Sequence, residues 1–312
     1  MASESPIVQV PEPDNYDQDD MIYQQHEDDG FDSPQDAIPR KLKLDLRGTR
    51  VELDRDVLVN LPESLLIAMF PNGLVLGRQD DVFVDDDEDD YENHSRDSVG
   101  GMDEQVNYVD FDPACLDYVL RFYQYAQEVY QKSDSNDHQR LLAQSAATSP
   151  MYYPLLTKQP IIVLREELEY YCLTSKDSDK KSLADMQALK LAGGKYLKQH
   201  DQIFDALQKN ISRENNVAEQ HLIDMLCDAG FMRDDRWGYR ELEPMRTCIV
   251  SMALVLLKTT GPDNHMATAQ KLLLFWRKPA RKCWWDGNTV EVEGESIRLW
   301  ARRTWTLELA LV

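Results

Sequence analysis

Lys41 to Phe70, KLKLDLRGTRVELDRDVLVNLPESLLIAMF, is the stretch whose reading decides the fold class. Leu42, Leu44 and Leu46 alternate with Lys43 and Asp45, the pattern of a half-buried strand. Arg47-Gly48 makes a turn, and Val51 and Leu53 on either side of Glu52 form the return arm of a hairpin. Asp54 caps a short helix through Val57, Leu58 and Leu61. Pro62 breaks that helix and opens the next at its N1 position. Leu65, Leu66, Met69 and Phe70 give the second helix its apolar face, and Pro71-Asn72-Gly73 ends it. Two strands followed at once by two helices point to an α+β fold.

Outward from this block the composition changes sharply. The chain has 312 residues and a net charge of −22. Residues 1–40 hold eleven acids and one base, and residues 80–104 hold twelve acids and one base, so nearly all the excess charge lies in two segments. Neither has apolar periodicity, and both read as disordered: an acidic tail over 1–39 and an acidic insertion over 80–104. Phosphate backbones need a positive surface, so this balance argues against nucleic acid as a partner. The start lacks a basic and then apolar signal pattern, and the longest apolar run, Cys248 to Leu257, is about half of the ~20 residues a membrane span needs. The five cysteines show no C-x-x-C spacing. A reduced, cytoplasmic protein is expected.

Beyond the acidic insertion, Gln105 to Asp110 reads as a short strand. Asp112 is an N-cap, Pro113 sits at N1, and a helix to about Tyr130 buries Leu116, Val119, Leu120 and Tyr123. Residues 131–160, polar and then proline-rich, read as a second insertion. Ile161 to Cys172 reads as an amphipathic helix through Ile161, Leu164, Leu168, Tyr171 and Cys172, and a domain boundary is expected between 174 and 180. Helices follow at Leu183 to Leu191, Lys195 to Asn210, Val217 to Ala229, Pro244 to Lys258 and Ala267 to Trp276, with Gly193-Gly194 as an interruption and Gly230 as a stop. Asp286-Gly287 between two β-rich runs signals a hairpin turn, and Glu293-Gly294 a second one before strands at Ile297 to Trp300 and Trp305 to Leu311.

No catalytic constellation completes itself. Asp110-Phe111-Asp112-Pro113-Ala114 after a strand has the spacing of haloacid-dehalogenase phosphatases, whose paired aspartates serve as nucleophile and general acid. The later lysine and aspartates of that chemistry are missing, and capping explains the same letters. The acidic run from Asp85 fails as a calcium loop, because Asp90 and Arg96 stand where glycine and glutamate are needed. No histidine has ligand spacing, so neither a metal nor a cofactor is expected. Between Lys271 and Val312 eight bases face five acids. Arg277, Lys278, Arg281 and Lys282, with Trp284 and Trp285, are the candidate partner-binding residues, since Arg and Trp are enriched in binding hot spots. A tryptophan-rich core under a sheet accounts for the same residues without a partner. Ser5, Ser33 and Ser149, each before a proline, are candidate phosphorylation sites.

Several blocks together resemble the BTB/POZ domain of the potassium-channel tetramerisation, or KCTD, type. They are Leu44-Asp45-Leu46-Arg47-Gly48-Thr49, Leu61-Pro62-Glu63-Ser64-Leu65-Leu66 with Met69-Phe70, Tyr108-Val109-Asp110-Phe111-Asp112-Pro113, and Leu164-Arg165-Glu166-Glu167-Leu168. Phe111 stands where that pattern has arginine. Tyr239 to Arg246 and Lys271 to Trp285 extend the likeness to a fungal branch, the Whi-type growth regulators. The resemblance implies a BTB domain over 41–174, a helical region with a terminal hairpin sheet over 180–312, and BTB-mediated self-association. It further implies a non-enzymatic adaptor that binds and activates a membrane-associated haloacid-dehalogenase-type phosphatase, promotes stress-responsive transcription and restrains TOR signalling. Such an adaptor is cytoplasmic and reaches the plasma membrane through its partner. A substrate adaptor for a cullin ubiquitin ligase and an enzyme using Asp110 and Asp112 are the alternatives.

Overall fold

The computed structural model describes residues 40–74, 106–132, 154–173, 182–214, 216–259, 264–292 and 294–312. The acidic tail, the acidic insertion and the three Ser-Pro sites lie outside these residues, as does residues 133–153 of the second expected insertion.

The opening hairpin forms as its alternation requires. Strand β1 (Lys41–Leu46) buries Leu42, Leu44 and Leu46 and pairs antiparallel with β2 (Thr49–Asp54). Arg47 and Gly48 both have positive φ, at 50° and 92°, so the two-residue loop follows the right-handed twist of its strands. Helices α1 (Arg55–Asn60) and α2 (Glu63–Met69) follow. Pro62 is the N-cap of α2 rather than its first residue, and the buried stripe is Leu65 and Met69 with Ser64, while Leu66 is half-buried. Strand β3 (Val106–Val109) pairs parallel with β1, completing a sheet of order β2-β1-β3. Asp112 accepts a hydrogen bond from the Ala114 amide at 2.8 Å and starts α3 (Pro113–Lys132), which buries Cys115, Leu116, Val119, Tyr123 and Ala126. Burial pushes the Cys115 thiol up to about 12.

The second sheet departs most from expectation. After a short helix α4 (Pro154–Thr157), Pro160–Leu173 is strand β4, not a helix. It is the middle of an antiparallel sheet of order β5-β6-β4-β8-β7. Ile161, Ile162, Val163 and Leu164 are all fully buried, because helices cover one face of the sheet here and the N-terminal block covers the other. A strand buried on both faces loses its polar alternation and imitates a helix pattern. The same cause accounts for Pro244 to Lys258: its apolar centre is β6 (Cys248–Leu256), paired with β4 and with β5 (Tyr239–Leu242). Because β4 hydrogen-bonds on both sides to strands from the later half, the boundary expected at 174–180 does not separate two cores.

Helix α5 (Leu183–Gln199) runs unbroken through Gly193-Gly194. A Cβ on Gly194 would stand 2.2 Å from the Tyr170 hydroxyl, so the glycines bring the helix down onto β4 rather than interrupting it. Helices α6 (Asp205–Glu214) and α7 (Val217–Asp228) follow as separate elements, and Gly230 at φ 116° turns the chain after α7. Helix α8 (Met266–Trp276) leads into β7 (Ala280–Val292), which passes straight through Asp286-Gly287. Those two residues pair with Ala301 and Trp300 of β8 (Glu295–Leu311), and the turn lies at Gly294, φ 80°. Gly287 lies under Trp300, whose ring a Cβ there would approach to 3.1 Å, so its missing side chain serves packing instead of a turn.

Candidate partner-binding surface

The β7–β8 ribbon sorts the six candidate residues by strand parity. Even-numbered residues of β7 face the helices. Trp284 is therefore in the core, 8% exposed, edge-on to Trp305 at 5.2 Å. Lys282 also points inward and pairs with the buried Glu219 at 2.9 Å. Neither belongs to an open surface, and the tryptophan-core alternative holds for Trp284. Arg277, Lys278, Arg281 and Trp285 are exposed. Lys278 reaches Glu63 at 2.9 Å, whereas no described residue forms an ion pair with Arg277 or Arg281.

Trp285 belongs to an open aromatic face that extends to β4. It stacks on Tyr171 of β4, with ring centroids 6.1 Å apart and planes at 29°, and both rings are about half exposed. Beside them on β8, Arg298 lies 4.8 Å over the Trp300 ring and Arg302 pairs with Glu169 at 3.0 Å. Leu173, 50% exposed, continues the face. Tyr171, Trp300 and Trp285 come from three strands and share a face only through the register of β4 on β8 and β8 on β7.

Under the opposite face lies a buried ionic cluster. Glu166, 1% exposed, accepts hydrogen bonds from Arg240 at 2.7 Å, Arg303 at 3.0 Å and the Trp305 indole at 3.1 Å. Burial pushes its carboxyl up, and the charges of Arg303 and Arg240 with these hydrogen bonds more than offset that, so it titrates below the ordinary carboxylate range. Arg240 also donates to the carbonyls of Leu197 and Lys198, which closes the end of α5. The cluster stands between two apolar cores, one under α6, α7 and α8 around Phe204 and Trp305, the other under α5 around Leu168 and Ile297.

The N-terminal block is fastened to this sheet by charge. Glu308 of β8 accepts from the amides of Glu63 and Ser64 at 2.7 and 2.9 Å. Arg47, held in its left-handed turn, reaches Asp110 at 2.7 Å and also Glu243, and Arg246 reaches Asp110 at 2.6 Å. Asp110 is thus engaged by two arginines and Asp112 by a helix start.

Comparison with known proteins sets this arrangement in a family. A WHI2-like protein of Schizosaccharomyces pombe is 36% identical over 286 residues, covering 88% of each chain. The chain belongs to the WHI2-like family. A growth regulation protein of Saccharomyces cerevisiae is 24% identical, with 100% of this chain and 97% of that one covered. A second Schizosaccharomyces pombe protein, uncharacterized, is 24% identical over 88% of both chains. No family model matches, and no solved structure does. No helix among the described residues of this WHI2-like chain is long and apolar enough to cross a membrane.

Arg277, Lys278 and Arg281 were legible as a basic run beside tryptophans. Arg298, Trp300 and Arg302 are legible in the same way, but Tyr171 is not, because a helical reading of β4 removes the sheet register that brings it to them. Period-two parity at Glu166, Leu168 and Tyr170 was the available signal for β4.

Proposed function

We propose that this chain is a non-enzymatic adaptor in growth and stress regulation, which binds and activates a membrane-associated haloacid-dehalogenase-type phosphatase and restrains TOR signalling. The growth-regulation name of its Saccharomyces cerevisiae relative carries the first part. The open face of Trp285, Tyr171 and Trp300, with Arg298 over the Trp300 ring, supports the second, since it joins the residue types that dominate hot spots. The block from β1 to α3 takes the BTB-like role in this reading. The adaptor is cytoplasmic and meets the plasma membrane through its phosphatase.

Affinity purification of the tagged chain from stressed and unstressed cells tests this. A phosphatase is expected with the wild type and reduced with a folded Arg277→Glu/Lys278→Glu/Trp285→Ala variant, more strongly at higher salt because exposed charges are screened over ~8 Å at physiological ionic strength. Recovery of a cullin without a phosphatase would replace the proposal with the ubiquitin-ligase reading.

A further inference from the structure

Among the described residues strand β7 ends the five-stranded sheet and has one neighbour, β8. Its register runs without a bulge from Ala280↔Leu307 to Val292↔Glu295, and no proline interrupts it. Among the described residues no backbone hydrogen bond reaches its outer edge. The opposite edge strand, β5, has 4 residues against 13 in β7. Long edges of this kind are normally shortened, bulged, interrupted by proline or covered, because unpaired N–H and C=O groups template another strand.

The side chains along β7 say which strand fits. Its midpoint is Asp286. If a second copy of β7 lies antiparallel with the two midpoints opposed, the overlap is complete, and that one register sets Arg281 opposite Glu291 of the copy, twice. Both residues are exposed, and neither forms an ion pair with a described residue. On the same face Trp285 meets Gly287 and the Trp300 ring that lies over it, and Cys283 meets Thr289. Opposite charges and aromatic pairs are favourable cross-strand neighbours. The two Asp286 side chains face each other across the axis, and each has Arg303 of its own chain at 3.9 Å. An anionic membrane or a nucleic acid fits less well, because Asp286 and Glu291 lie on the same strand as Arg281.

We propose that β7 is the symmetric interface of a homodimer, in which two copies pair antiparallel about Asp286 and join their sheets into one of ten strands. This contact lies outside the N-terminal block and does not depend on the phosphatase reading. A strand-edge interface is small, so dissociation in the micromolar range is expected.

Sedimentation velocity on the full chain from about 1 to about 100 µM brackets that range. The wild type should dimerise as concentration rises. Arg281→Glu and Glu291→Arg, each folded by circular dichroism, should each weaken the dimer about tenfold or more, because two attractive pairs become repulsive. An equimolar mixture of the two variants should dimerise like the wild type, since every pair across their heterodimer is again opposite in charge. A wild type that stays monomeric throughout would overturn the proposal and leave the edge to a strand from another protein. A dimer unchanged in both variants would place the interface elsewhere, and a mixture that fails to associate would overturn the register.

Discussion

Replacing Glu166 by Gln keeps the volume of the side chain and one acceptor oxygen but removes the charge between Arg240 and Arg303. Both arginines are more than nine-tenths buried. Arg303 keeps only Asp286, at 3.9 Å, and Arg240 keeps Ser251 and two backbone carbonyls. Removing one partner of a buried ion pair costs about 3–5 kcal/mol, and the remaining acceptor puts this case at the lower end. A loss of about 3 kcal/mol corresponds to a fall in Tm of roughly 6–12 °C for a domain of this size. The sign with pH follows from the depressed carboxyl of Glu166. Its contribution is complete above the unfolded carboxylate range and is lost as pH falls through the lower, folded value. The gap between the wild type and Glu166→Gln should therefore be full at neutral pH and narrow as pH falls through and below the ordinary carboxylate range. Urea melts of both proteins across that range measure it. Glu169→Gln is the control, since its half-exposed pair with Arg302 is worth no more than about 1 kcal/mol. Equal midpoints at neutral pH, or a gap that persists in acid, would refute the cluster as an ionic support of the sheet.

Leu65→Ala should cost about 2–5 kcal/mol in urea unfolding and Leu66→Ala clearly less, because Leu65 is fully buried and Leu66 only partly; equal costs would mean α2 is rotated. Gly194→Ala should destabilise by about 1–3 kcal/mol through its clash with Tyr170, and Tyr170→Phe, which removes the hydroxyl, should recover part of that loss in the double variant. A thiol reagent at pH 8 should label exposed Cys283 first and leave Cys115 until the protein unfolds, which peptide mapping would read out; early labelling of Cys115 would contradict the packing of α3.

What the sequence determined by itself was local. Leu42, Leu44 and Leu46 alternate because one face of β1 meets the core and the other solvent, so burial wrote its period into the residues. Asp112-Pro113 start α3 through a hydrogen bond spanning two positions, and Arg47-Gly48 turn through their own φ angles; none of these needs a distant partner. The open surface was legible only as a list of residue types. Tertiary structure decided the rest wherever two faces were covered at once. Ile161 to Leu164 and the centre of β6 are apolar on both sides, and a uniform apolar run carries no period to separate strand from helix. Asp286-Gly287 has the letters of a turn, yet Trp300 across the sheet makes it the middle of a strand. Glu166 gains its partners from Arg240 and Arg303, 74 and 137 positions away, and Tyr171 gains Trp285 across the width of β8. Such contacts are set by register between strands, and register is a property of the assembled sheet that no single segment encodes.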